Sequence, residues 1–110
     1  PADGPAILLS SFSRAALAAA RRVAPTLPLG LLVNRIPLNW ASAMQAFGCT
    51  TLHPWYLPTR QATVRALARQ GVPLLFYTVT DPTRAARLLD AGARAVITDV
   101  PDRILSVAGP

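Results

Sequence analysis

Neither lysine nor glutamate occurs in this chain of 110 residues: all 11 basic residues are arginine and all 5 acidic ones are aspartate. The absent glutamate narrows the acid–base and metal chemistry these residues can perform alone. One cysteine, Cys49, excludes an intrachain disulfide framework and suits a reducing compartment, so a cytoplasmic location is expected. One cysteine and one histidine, with no Cys pair nearby, also exclude a structural zinc site. No run approaches the roughly 18 uninterrupted apolar residues of a membrane helix, and no basic-then-apolar signal opens the chain. No Gly-x-Ser-x-Gly elbow surrounds any serine, which disfavours a serine hydrolase.

What is present is enough for one domain, since 52% of the residues are apolar. The net charge of +6 fits a coding bias toward arginine and alanine. Arg14, Arg21, Arg22, Arg65, Arg69, Arg84 and Arg87 are spread over several expected helices without an aromatic-and-basic stripe, so no nucleic-acid partner is expected. The opening PADGPAILL runs from turn-forming residues straight into a hydrophobic strand, as a segment within a larger fold would.

Branched apolar runs recur about every 20 to 24 positions: Ile7 to Ser11, Leu29 to Val33, Cys49 to His53, Leu74 to Val79, and Ala95 to Thr98. That spacing leaves room for one crossover per strand, and continuous apolarity predicts strands covered on both faces. The crossovers carry helix punctuation. Ser13 caps a helix reaching Ala24, with Leu17, Ala20 and either Val23 or Ala24 inward and Arg14, Arg21 and Arg22 snorkelling to solvent. Thr59 caps a helix with Val64, Leu67 and Ala68 inward and Gly71 past its end. Asp81-Pro82 starts a helix that Gly92 closes, and Trp40, Ala43, Met44 and Phe47 fit a short one. Five such units make either an arc of a (β/α)₈ barrel, which needs about 250 residues in all, or a five-stranded open sheet. Periodicity does not choose between them.

Four motifs in order bear on the choice: Leu9-Ser10-Ser11-Phe12, Leu52-His53-Pro54, Tyr77-Thr78-Val79-Thr80, and Ile97-Thr98-Asp99 followed by Pro101. With Arg84 to Gly92 between the last two, the chain resembles the carboxy-terminal part of the glycerophosphodiester phosphodiesterase family over nearly its whole length. The resemblance implies a parallel α/β fold in which residues 1–110 supply strands four to eight of a (β/α)₈ TIM barrel. It implies metal-dependent hydrolysis of a glycerophosphodiester to glycerol 3-phosphate and an alcohol, with Mg²⁺ or Ca²⁺ as cofactor. The family's His-Arg-Gly motif, Glu-x-Asp pair and further Glu are not in this sequence. The resemblance therefore places catalytic and metal-holding residues on a missing amino-terminal half-barrel, and the fragment alone is expected to be inactive.

The implied substrate-binding residues are Ser11, Phe12, His53 and Tyr77. Ser11 can donate to a ligand, Phe12 can line the mouth, and His53 can contact the phosphate or substrate alcohol. Tyr77 stands where the family usually has Trp and would wall the glycerol or alcohol group, while Thr80 replaces a frequent Asn. Asp99 is expected to accept backbone N–H groups at the turn into a final short helix, Ser13 and Asp81 to serve as caps, and Cys49 to be inert core. Two other functions fit the same residues: a small non-catalytic α/β module holding phosphate near Ser13, Asp81 and Asp99, or a degenerate half-barrel kept for assembly, whose open sheet edges a partner would cover.

Overall fold

The computed structural model describes residues 8–108, with side chains described through Leu105. Five strands alternate with five helices: β1 (Leu9–Ser11), α1 (Arg14–Val23), β2 (Leu29–Val33), α2 (Trp40–Phe47), β3 (Cys49–Pro54), α3 (Gln61–Arg69), β4 (Leu75–Phe76), α4 (Pro82–Ala91), β5 (Ala95–Val96) and α5 (Pro101–Ala108). The expected start of the first strand, Ile7, lies outside the described residues.

The helix ends follow from local chemistry. Ser13 Oγ accepts the Ala16 N–H and Asp81 accepts the Thr83 N–H, each satisfying a first-turn donor that has no partner within its helix. Pro82 occupies the first position of α4, where a missing N–H costs nothing. Gly92 ends α4 at φ +115°, and a Cβ there would sit 2.6 Å from the Ala68 methyl, so both backbone and packing require glycine.

On the helices two expectations need correction, and one alternative is resolved. Arg60, not Thr59, is the N-cap of α3. Thr59 is buried, and its hydroxyl is committed to the Trp55 carbonyl at 3.0 Å, closing the loop that leaves β3. On α1, Val23 is 85% exposed, so Leu17 and Ala20 continue inward toward Ala24. Arg21 does not snorkel free: its guanidinium donates to the carbonyls of Pro25 and Gly48, where α1 and α2 have ended. A cation there meets the negative ends of both helices. Arg14 lies over the Phe47 ring, 5.6 Å from its centroid.

All strand pairings are parallel. β1, β2 and β3 form one ladder and β4 and β5 another, joined by bridges at Leu52–Leu74 and Trp55–Tyr77. The gap between these bridges has a cause in the sequence. Pro54 accepts from the Tyr77 N–H but has no N–H of its own to return to β4. The ladder between β3 and β4 is thereby reduced to two bridges, and within the expected strand Leu74–Val79 the paired strand is Leu75–Phe76, beside Ala95–Val96.

The resulting order β1-β2-β3-β4-β5 is the chain order, with no reversal. A doubly wound sheet reverses at a switch point; right-handed crossovers without reversal keep every helix on one side, as in a barrel wall. The helix-side face carries Leu31, Leu52, Leu74 and Phe76, which share one buried cluster with Leu17, Val64, Leu67, Ala85 and Leu88. Fully burying each such aliphatic or aromatic side chain is worth about 1.5–3 kcal/mol. Among the described residues β1 pairs only with β2 and β5 only with β4, so the sheet keeps two borders. The radius of gyration, 14.3 Å, exceeds the roughly 13 Å of a compact domain this long, as an open curved slab should. Among the described residues no helix is long and apolar enough to cross a membrane.

Candidate functional site at the strand ends

Side chains alternate along each strand, so the face opposite the helices is set by the registers. It carries Ser10 and Phe12, Gly30 and Leu32, Thr51 and His53, then Leu75 and Tyr77. Because all strands run one way, their carboxyl ends form a single rim, and Phe12, Asn34, Trp55 and Tyr77 follow or end four consecutive strands there.

Two of the four expected binding residues meet on this rim. The Phe12 and Tyr77 rings stand edge to face, with centroids 5.9 Å apart and planes at 87°, although β2 and β3 lie between their strands. Such pairs add about 0.5–1.5 kcal/mol beyond burial. Phe12 is still 54% exposed, so the pair presents an apolar wall to whatever enters. The Tyr77 hydroxyl donates to the Val33 carbonyl at 2.9 Å, with Asn34 Oδ1 at 3.3 Å. Val33 also accepts the Trp55 N–H, so one carbonyl ties the ends of three strands. Desolvation raises the Tyr77 pKa, and the phenol remains a donor. Tyr77→Phe keeps the ring contact and loses the tie, with an expected loss of about 0.5–1.5 kcal/mol in urea unfolding.

Ser11 and His53 sit differently. The Ser11 Oγ accepts the Ser13 N–H at 3.0 Å, which orders the turn into α1 and leaves its O–H to donate. His53 is on the same sheet face as Tyr77 but only 2% exposed. Its Nε2 lies 2.8 Å from Thr51 Oγ1, one turn of the pleat toward the amino end of β3, and its buried Nδ1 has no partner. Desolvation lowers its pKa, so the ring is held neutral.

Asp99 is exposed, and the turn into α5 is closed by a different residue: Thr98 Oγ1 accepts the Val100 N–H at 3.0 Å. A threonine one position earlier reaches the same amide. Cys49 is buried, and burial raises its thiol pKa against the opposing charges of Arg21 and Arg14. Among the described residues no three His, Cys, Asp or Glu side chains stand close enough to hold a metal ion. The implied divalent cation therefore does not fit the donor set present. Asn34 and Trp55 were not singled out from sequence; both directly follow strands on the rim, which is the signal that could have found them.

Known proteins show the same architecture. A phosphodiesterase of Oleispira antarctica, solved in complex with the product sn-glycerol-3-phosphate, superposes with a TM-score of 0.89 at 30% identity, covering 98% of this chain and 43% of that one. A glycerophosphodiester phosphodiesterase of Parabacteroides distasonis shares the fold at 22% identity and a TM-score of 0.70, over 89% of this chain and 41% of its own. The glycerophosphodiester phosphodiesterase of Caldanaerobacter subterraneus subsp. tengcongensis is 30% identical over 104 residues, 92% of this chain and 42% of the relative. This chain thus spans well under half the length of these relatives. Residues 2–103 match the sequence model of the Glycerophosphoryl diester phosphodiesterase family, and the chain belongs to that family.

Proposed function

We propose that this chain forms the substrate-lining part of a phosphodiester hydrolase acting on glycerophosphodiesters, and corresponds to strands four to eight of its barrel. The observation that carries the reading is the Phe12–Tyr77 pair on the carboxyl rim of an unclosed parallel sheet, the end where barrel enzymes bind substrate. An amino-terminal half-barrel would pair with the two open borders and bring the residues this chain lacks. The cofactor would be Mg²⁺ or Ca²⁺, with its ligands outside these residues, where it would offset the charge of the phosphate.

In this arrangement the chain's own contribution is to bind and orient. Phe12 and Tyr77 exclude water from the glycerol or alcohol end of the diester, and Ser11, whose register with Leu31 puts it on the helix-side face, would order the turn that carries Phe12. Water attacks phosphorus, the alcohol departs, and glycerol 3-phosphate remains; no residue here is assigned the proton transfers. His53 would act from below the rim, shaping the floor on which the phosphate rests. The single, buried Cys49 fits a cytoplasmic setting.

The test is release of glycerol 3-phosphate from glycerophosphocholine by the polypeptide that includes upstream sequence, with and without divalent metal. Metal-dependent turnover is expected there, and none from the 110 residues alone. Tyr77→Ala should lower kcat/KM by about tenfold or more by removing the wall. Turnover by the isolated chain would show that the assignment of catalysis to another half is wrong.

A further inference from the structure

Arginines distant in sequence line two adjoining cavities at the connections that leave the rim. One cavity of about 480 Å³ is lined by Arg60, Arg84 and Arg87 with Leu57, Pro58 and Gln61. A second, of about 380 Å³, is lined by Arg35, Ile36, Arg60 and Thr63. The two share Pro58, Thr59 and Arg60, so they form one crescent around the loop from β3 to α3. No carboxylate lines either cavity, and α3 has no acidic residue in its first turn. Three arginines thus line the larger cavity and two the smaller, Arg60 being common to both, and no carboxylate among the lining residues offsets them.

Part of the crescent is already ordered. Arg84 lies over the Tyr56 ring, 5.3 Å from its centroid, with Nη2 3.4 Å from the Tyr56 carbonyl. Gln61 Nε2 donates to the Arg87 carbonyl at 3.0 Å, joining α3 to α4 across the larger cavity. Neither cavity is lined by Phe12 or Tyr77, so the crescent and the apolar wall are different surfaces, both beside the connections that leave the rim.

We propose that the crescent is an anion site for a multiply charged phosphate group, separate from the substrate mouth. Guanidinium forks bind phosphate through paired N–H donors, and a dianion or pyrophosphate matches three or four arginines better than a single carboxylate does. The same chemistry is offered by a free phosphate compound and by a phosphomonoester lipid headgroup, and the experiment separates them.

In the complete polypeptide, inorganic pyrophosphate binding is measured by calorimetry for the native protein, for Arg35→Gln/Arg60→Gln/Arg87→Gln, and for Thr63→Glu, which places a carboxylate in the smaller cavity. Both variants change exposed positions, so folding is expected to persist, checked by circular dichroism. Each should weaken binding by about tenfold or more, and salt should weaken native binding. Hydrolysis of glycerophosphocholine should not change, which separates this site from the mouth. A parallel arm sediments the protein with phosphatidylcholine vesicles, with or without phosphatidic acid. Arginine-dependent capture by phosphatidic acid, displaced by pyrophosphate, identifies a headgroup; arginine-dependent pyrophosphate binding without capture identifies a soluble ligand. Pyrophosphate binding that is absent, or equal in native and variant proteins, overturns the proposal.

Discussion

Gly30→Ala is expected to destabilise the protein by about 1–3 kcal/mol, read as a lower urea midpoint at unchanged slope. Gly30 has no unusual backbone requirement; its constraint is a neighbour. A Cβ there would stand 2.5 Å from His53 Nε2, 2.7 Å from Cε1 and 2.9 Å from Thr51 Oγ1. An exposed ring end could swing aside cheaply, but His53 is buried and engaged with Thr51, so movement breaks that contact inside packed surroundings. The methyl and the ring thus compete for one volume. Combining Gly30→Ala with His53→Ala should recover part of the loss, with a coupling of about 1 kcal/mol or more in a double-mutant cycle. Additive effects of the two substitutions would show that the ring relaxes freely and that the close approach is not what keeps this position glycine.

The same close approach shows what could and could not be read from the amino-acid order. The parallel winding was legible because each crossover fits the spacing between apolar runs, and because Ser13, Asp81-Pro82 and Gly92 punctuate helices by local chemistry. Barrel against open sheet was not legible from periodicity, since both present continuous apolar strands; the unreversed strand order settles the winding. Thr59 differs from expectation because a cap and a loop-closing hydroxyl share one residue type, and the choice turns on the bond from buried Thr59 back to the Trp55 carbonyl. The break between the β3 and β4 ladders follows from a donor missing on Pro54, which only the pairing of the two strands reveals.

For the site, the motif order marked Ser11, Phe12 and Tyr77 at strand ends, but not that Tyr77 reaches across β3 to Val33. Nor did it show that His53 turns toward Thr51 and is covered. Arg84 and Arg87 fall among arginines spread over several expected helices, and Arg35 and Arg60 lie in connections between elements. Arg35, Arg60, Arg84 and Arg87 come from three successive units, and the parallel order of those units brings them around one loop. Side-chain direction within a face and convergence between units are tertiary facts, and local patterning carries neither.

Stability should fall as the solution is acidified below about pH 6.5, and His53 should account for a measurable share. Burial lowers the pKa of this histidine below its ordinary value near 6.5, and no charged neighbour contributes to the shift. Its Nδ1 has no partner, so the imidazolium, whichever nitrogen gains the proton, would hold a buried Nδ1–H without an acceptor or a counter-charge. Well above about pH 6.5 the imidazole is neutral in both folded and unfolded chains, and its full contribution is present. As pH drops through 6.5, the unfolded chain takes up a proton that the folded one refuses. The unfolding free energy then declines with a slope approaching about 1.4 kcal/mol per pH unit, until the lowered folded-state pKa is passed. Urea titrations between pH 8 and pH 5 on native protein and His53→Gln isolate this share, since Gln keeps a polar end near Thr51 and cannot titrate. The difference between the two curves should be flat above about pH 7 and narrow toward acid as native stability falls. Parallel curves across the whole range would mean that the ring accepts its proton in place, and that the covered position on the sheet does not hold it neutral.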